Sequence, residues 1–298
     1  MAAKDRAKPA LTWLITGCSS GFGLAVARLA QANGHRVIAT SRDPRRTPEL
    51  AEEVVAKGGE WLRLDQDEQD CGRVVDEVEA RGLAIDVLVN CAAVGTAGPV
   101  ESFSEAEVRR VMETNFFGPY RLLRAAAPYM RRRRSGVIVN LSSGAGMEAR
   151  PSLGVYGASK SALDGLTKVL HKELQEFNVR VLLVYLGAFD TPMAKNVGSV
   201  AQPIDPDYRG TVTEKLFKIL STGDFEIRGD HLKAVRAIYD VVVGEGVGAG
   251  RESEIMPPLG TDMAARIEET QRRLTHAMEV FGDICVNVNV DDSAPLRD

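Results

Sequence analysis

The sequence predicts an α/β protein, a doubly wound parallel sheet in a single domain with a C-terminal helical extension. Three observations predict it. From Leu11 to Tyr185, short apolar runs alternate with helical stretches, the rhythm of βαβ units with helices of roughly ten residues or more. The short runs are apolar almost throughout, as strands buried on both faces must be. The first of them ends in a glycine-rich turn, Thr16 to Gly23, that opens a helix.

The elements follow in order. Leu11 to Ile15 is the first strand. Leu24, Val26, Ala27, Leu29 and Ala30 share one face of the first helix, which Asn33 and Gly34 stop. His35 to Ala39 is a second strand, Arg42 to Pro48 a polar turn, and Glu49 to Lys57 a helix closed by Gly58 and Gly59. Trp61 to Leu64 is a third strand, Gln66 to Arg81 an amphipathic helix, and Ile85 to Val89 a fourth strand. Ser104 to Met130 is a long helical region, with Arg131 to Arg134 as a solvated basic loop before the fifth strand, Val137 to Leu141. Tyr156 to Glu176 is a helix and Val179 to Tyr185 a sixth strand.

Beyond Tyr185 the rhythm weakens. Gly187 to Thr222 mixes Gly, Pro and Asp with short helical pieces, which suits a mobile flap over a site. Asp230 to Val243 is a helix, Glu254 to Met256 a last strand before Pro257 and Pro258, and Thr261 to Phe281 a final helix with a broken apolar stripe. Gly282 to Asp298 carries no helix signal and reads as a tail. The expected division is therefore 10–260, including a flap at about 187–228, followed by a helix and tail over 261–298.

Composition excludes several classes. Lys plus Arg is 37 against 41 for Asp plus Glu, a net charge of −4 over 298 residues. Nothing electrostatic points to nucleic acid. No run approaches the roughly 18 apolar residues of a membrane span. The polar start, Met1 to Pro9, leads into a strand rather than a signal-peptide core. Cys18, Cys71, Cys91 and Cys285 are scattered without metal spacing, and the four histidines are isolated. That pattern suits a reduced, cytoplasmic compartment and gives no metal site.

The turn Thr16-Gly17-Cys18-Ser19-Ser20-Gly21-Phe22-Gly23 has a physical use. Glycine reaches positive φ and lets backbone approach a pyrophosphate, while free N–H groups and the dipole of the following helix attract the anion. Ser19 and Ser20 add hydroxyl donors. At the end of the second strand stand Ser41, Arg42 and Asp43. An acid about 20 residues past the glycines would hold a ribose 2′-hydroxyl, and an arginine would accept a 2′-phosphate. Guanidinium suits phosphate, so NADP is expected over NAD.

Tyr156 and Lys160 are one helical turn apart and share a face. A lysine there favours the phenolate and tunes a group that is otherwise a poor base. Ser143 ends the fifth strand, with Ser142 as its rival, and Asn115 lies inside the long helical region, where a buried amide needs partners.

Thr16-Gly17-x-x-x-Gly21-x-Gly23, Leu64-Asp65, Asn90-x-Ala92, Asn115, Ser143, Tyr156-x-x-x-Lys160 and Gly187-x-x-x-Thr191 occur in this order. Over about residues 10 to 260 the sequence resembles the short-chain dehydrogenase/reductase family. Glu113 to Met193 also resembles the NADP-dependent ketoreductases common in fungal genomes, which implies a setting in secondary metabolism.

The resemblance implies a Rossmann fold, an NADP(H) cofactor and a homodimer or homotetramer. It implies Tyr156 as the acid or base, Lys160 as its tuner and ribose ligand, Ser143 on the substrate oxygen, and Asn115 holding a relay water. It implies Asp65 at adenine, Asn90 and Ala92 at the ribose, and Phe189 and Thr191 at the nicotinamide. Cys91, Ala93 and Leu186 depart from the family's usual Asn, Gly and Pro.

Pocket edges are expected at Gly95 to Pro99, Gly144 to Val155 and Gly187 to Tyr208, with Val94, Ala145, Met147, Leu153, Phe189, Met193 and Val197 as apolar lining. A fairly apolar ketone, aldehyde or secondary alcohol would fit. The alternative reading is a non-redox isomerase, dehydratase or cyclase on the same fold.

Overall fold

The computed structural model describes residues 9–195, 197–223 and 229–288. The expectations for the first eight residues, for part of the flap at 196 and 224–228, and for the tail beyond 288 lie outside the described residues.

The chain runs β1 (Thr12–Ile15), α1 (Gly21–Ala32), β2 (Arg36–Ser41), α2 (Pro48–Ala56), β3 (Glu60–Arg63), α3 (Arg73–Ala80), β4 (Val87–Asn90) and β5 (Thr96–Ala97). It continues through α4 (Glu105–Met112), α5 (Gly118–Arg133), β6 (Gly136–Ser143), α6 (Gly144–Met147), α7 (Gly154–Leu174) and β7 (Val179–Leu186). The last third holds α8 (Pro192–Lys195), β8 (Gly198–Ser199), α9 (Val212–Thr222), α10 (His231–Val243), β9 (Pro258–Leu259) and α11 (Met263–Val286).

Seven strands form one parallel sheet in the order β3-β2-β1-β4-β6-β7-β9. Strand order reverses between β1 and β4, so their C-terminal ends open a crevice, where ligands bind in sheets of this kind. Side-chain alternation explains the apolar runs. Leu14, Ile38, Leu88 and Ile138 point to a core with α3 and α5, while Trp13, Ile15, Val37, Val87 and Val89 point to one with α1 and α10. Both faces are buried over the inner strands, so these carry hydrophobes at successive positions.

Five boundaries read from the sequence are placed differently in the structure. Gln66 to Gly72 is a series of turns, and the helix begins at Arg73. Asp65 accepts the Asp67 N–H at 3.1 Å, and the Thr114 hydroxyl donates to Asp67 at 2.6 Å, so the acids close turns instead of propagating a helix. The region from Ser104 is α4, a π-helical turn at Glu113–Phe117, and α5. Arg131 to Arg133 form the last turn of α5 rather than a loop, and Arg134 caps it with φ of 52°. Arg133 binds Glu79 at 2.7 Å and the Ile85 carbonyl at 2.9 Å, which draws the basic run onto the body.

The last strand registers at Pro258–Leu259 instead of 254–256. Ile255 and Pro257 accept bonds from β7 and Leu259 accepts one from Gly187 just after it, but Pro257 and Pro258 have no N–H to return one. Helix α11 runs through Gly282 to Val286, past the expected end at Phe281. A single glycine costs a helix about 1 kcal/mol without stopping it.

β5 and β8 form a second, two-stranded parallel sheet that ties the segment after β4 to the flap. Gly98 sits where a Cβ would meet Val200 Cγ1 at 2.4 Å, so the Val200 side chain of the flap packs directly on the Gly98 backbone.

Candidate active site

The crevice at the sheet's switch point is a cavity of about 210 Å³. At one end lies the turn between β1 and α1. Gly17 has φ of +73°, and a Cβ there would stand 2.9 Å from Ala92 Cα. Gly23 closes the turn from behind, where a Cβ would meet the Gly17 carbonyl at 2.5 Å. Thr16 fixes the neighbouring strand end by accepting the N–H groups of Cys91 and Ala92 at 2.9 and 3.0 Å. Ser20 caps α1 without spending its hydroxyl on the helix, and the first turn of α1 holds no acid. The result is a concentration of N–H and hydroxyl donors that favours an anion.

Gly17, Ser19, Ser20, Gly21, Phe22, Ser41, Arg42, Asp65, Ala92 and Thr191 line the same cavity as Tyr156 and Lys160. The Trp61 indole donates to Ser41 Oγ at 2.9 Å. Asp43, beyond Arg42, is engaged by the Arg45 guanidinium at 2.8 and 3.2 Å, which holds its carboxyl below the ordinary range. Gln66 also lines the cavity, and its Oε1 is buried with no protein partner. A positive-φ glycine cradle, unspent donors, a guanidinium and an unpaired acceptor fit a dinucleotide.

The other end is reactive. Tyr156 is buried on α7, with Ser143 against its hydroxyl. Burial pushes the phenol up; the Ser143 hydrogen bond and, more weakly, the Arg266 charge oppose this, while Asp164 adds to it. Lys160 is buried beside it and donates to the Leu141 carbonyl at 2.9 Å. Desolvation pulls its ammonium down to about 8, against the Asp164 and Cys91 charges that raise it. Ser143 caps α6, accepting the Ala145 N–H at 3.2 Å, whereas Ser142 donates to Asp164 at 2.5 Å. Strand alternation thus sends the two serines to different partners, with Ser143 the one beside tyrosine.

Several sequence-derived residues lie behind the wall. Asn115 sits in the π-helical turn, fully buried. Its side chain accepts the Val94 N–H at 2.8 Å and donates to the Val94 carbonyl at 2.9 Å and to Ser159 at 3.0 Å. Asn90 donates to Asn140 at 2.8 Å within the sheet. Phe189 packs edge-on against Phe22, ring centres 5.3 Å apart, in the core rather than on the wall. Met147 likewise packs with Leu183, Tyr185 and Met263. Of the expected apolar lining, Val94 and Met193 face the cavity, joined by Leu186, Ala93 and Pro192.

Sequence reading missed Asp164, Gln66 and Thr114. Asp164 could have been found, because it lies four residues past Lys160 on the same helical face.

A doubly wound sheet with a glycine turn and a buried tyrosine–lysine pair at its switch point is an architecture of nicotinamide-dependent oxidoreductases. Comparison with known proteins is specific. The short chain dehydrogenase family matches residues 12–201. A fungal relative, oxidoreductase claN of Passalora fulva, is 42% identical over 181 residues, 60% of this chain and 83% of that protein. Human retinol dehydrogenase 8 is 38% identical over 224 residues, 72% of this chain and 68% of that protein.

A short-chain dehydrogenase from Streptomyces avermitilis superimposes with a TM-score of 0.84 at 31% identity, over 95% of this chain and 99% of that one. A metagenomic short-chain oxidoreductase in complex with NADP is 36% identical, with a TM-score of 0.58 over 61% of this chain and 85% of that one. The chain belongs to the short-chain dehydrogenase family, whose oxidoreductases act on small molecules with NAD or NADP. Among the described residues no helix is long and apolar enough to cross a membrane.

Proposed function

We propose that the protein is an NADP(H)-dependent reductase or dehydrogenase acting on a fairly apolar ketone, aldehyde or secondary alcohol. The observation that carries this is the joining of Tyr156, Lys160 and the glycine turn in one cavity, with Ser143 against the tyrosine hydroxyl. NADPH, when bound, supplies the hydride.

Tyr156 gives its proton to the carbonyl oxygen in reduction and takes it back in alcohol oxidation. Its burial keeps the phenol protonated for the first role. Ser143 donates to the same oxygen and stabilises the developing charge. The Lys160 ammonium favours the phenolate left behind and holds the nicotinamide ribose. Asn115 spends its side chain on Val94 and Ser159, so a relay water between it and Lys160 would be held by its main chain.

The backbone from Gly17 to Gly23 with Ser19 and Ser20 holds the pyrophosphate, Asp65 and Gln66 meet the adenine, and Ala92, with Asn90 behind it, borders the ribose. Thr191 borders the nicotinamide, while Phe189 supports Phe22 from the core. Arg42 receives the 2′-phosphate. Asp43 does not compete for a ribose hydroxyl because Arg45 occupies it. The NADP complex of the 36% identical relative supports the same choice.

Val94, Leu186 and Met193 on the wall support an apolar substrate, as does the retinol named for one relative. Residues 10–260 with the flap at about 187–228 form the catalytic domain, and 261–298 its extension. We place the enzyme in the cytoplasm as a homodimer or homotetramer, within secondary metabolism as the sequence resemblance to fungal reductases implies.

A panel of carbonyl compounds offered with NADPH and NADH in parallel tests this reading through the loss of reduced-nicotinamide absorbance. Oxidation of NADPH with an apolar ketone is expected. Conversion of substrate without net change in nicotinamide would support an isomerase, dehydratase or cyclase, which the substitutions at Ala93 and Leu186 on the cavity wall favour.

A further inference from the structure

Helix α11 lies beyond the 12–201 span of the family match, yet its first turns pack against α6, which begins next to Ser143. Arg266 is 8% exposed. It binds Glu148 at 2.6 Å through one guanidinium nitrogen and Asp262 at 2.7 and 2.8 Å through two others. Asp262 in turn accepts the Ala188 N–H at 3.2 and 3.3 Å. Glu148 immediately follows α6, and its N–H donates to the Gly144 carbonyl at 3.0 Å. Arg266 therefore links the two segments that flank the substrate side, one after Ser143 and one after Leu186.

The link reaches Tyr156 through α6. A Cβ on Gly144 would stand 2.7 Å from Arg266 Cδ, so α11 presses on the backbone of α6. On the opposite side a Cβ on Gly146 would stand 3.0 Å from Lys160 Cβ and 2.8 Å from Asp164 Oδ2. Gly157, next to Tyr156, fits against the Ala145 carbonyl, which a Cβ would approach to 2.7 Å. The Ser161 hydroxyl donates to the Gly146 carbonyl at 2.6 Å. Helix α6, capped by Ser143, is thus held between α11 and the tyrosine face of α7.

We infer that Arg266 is a positioning residue for the acid–base chemistry: it fixes α6, and with it Ser143, against Tyr156, and brings a second buried cation up to Gly144, the residue that follows Ser143. This rests on the reading of Tyr156 as the acid or base. The charged groups near the phenol are Asp164 from its own helix and Arg266 from α11, with Lys160 in the same cavity; the Ser143 hydroxyl from β6 is its hydrogen-bond partner. Arg266 opposes the Asp164 charge, and Glu148, itself joined by Arg150 at 3.2 Å, and Asp262 neutralise part of it.

The sign of the effect separates this role from plain bracing. Removing the guanidinium charge leaves Glu148 with Arg150 alone and takes from Asp262 its ion pair with Arg266, and must raise the Tyr156 titration. Removing the Glu148 charge frees the guanidinium charge and must lower it. Loosening of α6 alone would move both in one direction.

The test is the titration of the Tyr156 phenol in substrate-free protein, followed by NMR of ring-labelled tyrosine and assigned with Tyr156→Phe. Arg266→Met is expected to raise the midpoint by roughly half a unit to one unit, Glu148→Gln to lower it, and Arg266→Lys to restore it. An unchanged midpoint in folded Arg266→Met, or a shift of both charge-removing variants in the same direction, would overturn the inference. If Arg266→Met does not fold, Glu148→Gln decides alone: a lowered midpoint supports the coupling, and a raised or unchanged one rejects it. If Tyr156→Phe kept full turnover, the proposed function would fall, but this titration would still read the coupling.

Discussion

The two ends of the cavity are built differently. The dinucleotide end is made at the tips of adjacent strands by backbone and local side chains: Gly17 to Gly23 after β1, Ser41 and Arg42 at the end of β2, Ala92 after β4. The substrate end is assembled by side chains that meet from distant segments around the sheet. Glu148 and Arg266 are 118 residues apart, Ala188 and Asp262 are 74, and β5 pairs with β8 across the flap. The first depends on backbone conformation, the second on side-chain networks. Substitutions should therefore fail in different ways at the two ends.

The largest effect is expected where backbone is irreplaceable. Gly17→Ala puts a side chain at φ of +73° and 2.9 Å from Ala92 Cα, a strain of about 1–3 kcal/mol. Calorimetric titration should show NADPH binding lost at concentrations that saturate the parent, with a lowered melting temperature. Parent-like binding would show that the turn does not form the cradle.

Arg42→Asp should weaken NADPH selectively, by about 10-fold to 100-fold for a lost charge-assisted contact, and leave NADH nearly unaffected. Equal weakening of both cofactors would remove Arg42 from the 2′-phosphate. A smaller, reversible change is expected with pH. The Lys160 ammonium is pulled down to about 8 by burial. It is charged below that value and loses its proton as pH rises through it. The kcat/KM for ketone reduction should fall in this range, and a flat profile would deny Lys160 its electrostatic role.

The least effect is expected along the far half of α11. Leu274 is 66% exposed, and Met278, Phe281 and Ile284 are exposed too. Leu274→Ala should change unfolding free energy by less than about 0.5 kcal/mol, in contrast to Arg266 eight residues before it. A large loss in urea unfolding would show that the outer half of the helix is also part of the fold.

Legibility followed the same divide. The strands were readable because both faces of the sheet are buried, which leaves continuous apolar runs. Tyr156 and Lys160 were readable because one helical turn joins them. The Gln66 turns escaped because acids that close turns also suit a helix surface, and the last strand slipped because prolines hide it from a periodic pattern. Arg266 left no local signature: on the sequence it is one more arginine on a charged helix, and its burial arises only when α6 and the turn after β7 meet it. Phe189 shows the reverse case, a residue whose motif position suggests a ligand but whose ring is claimed by Phe22.

The central claim is that Tyr156 is the proton donor in a cavity that also binds NADPH. It is tested most directly by measuring, on Tyr156→Phe, both NADPH affinity and ketone-dependent NADPH oxidation. The account predicts affinity close to that of the parent with turnover reduced by about 10²-fold to 10⁴-fold, the usual share of a general acid. Parent-level oxidation by a folded, NADPH-binding variant would contradict it.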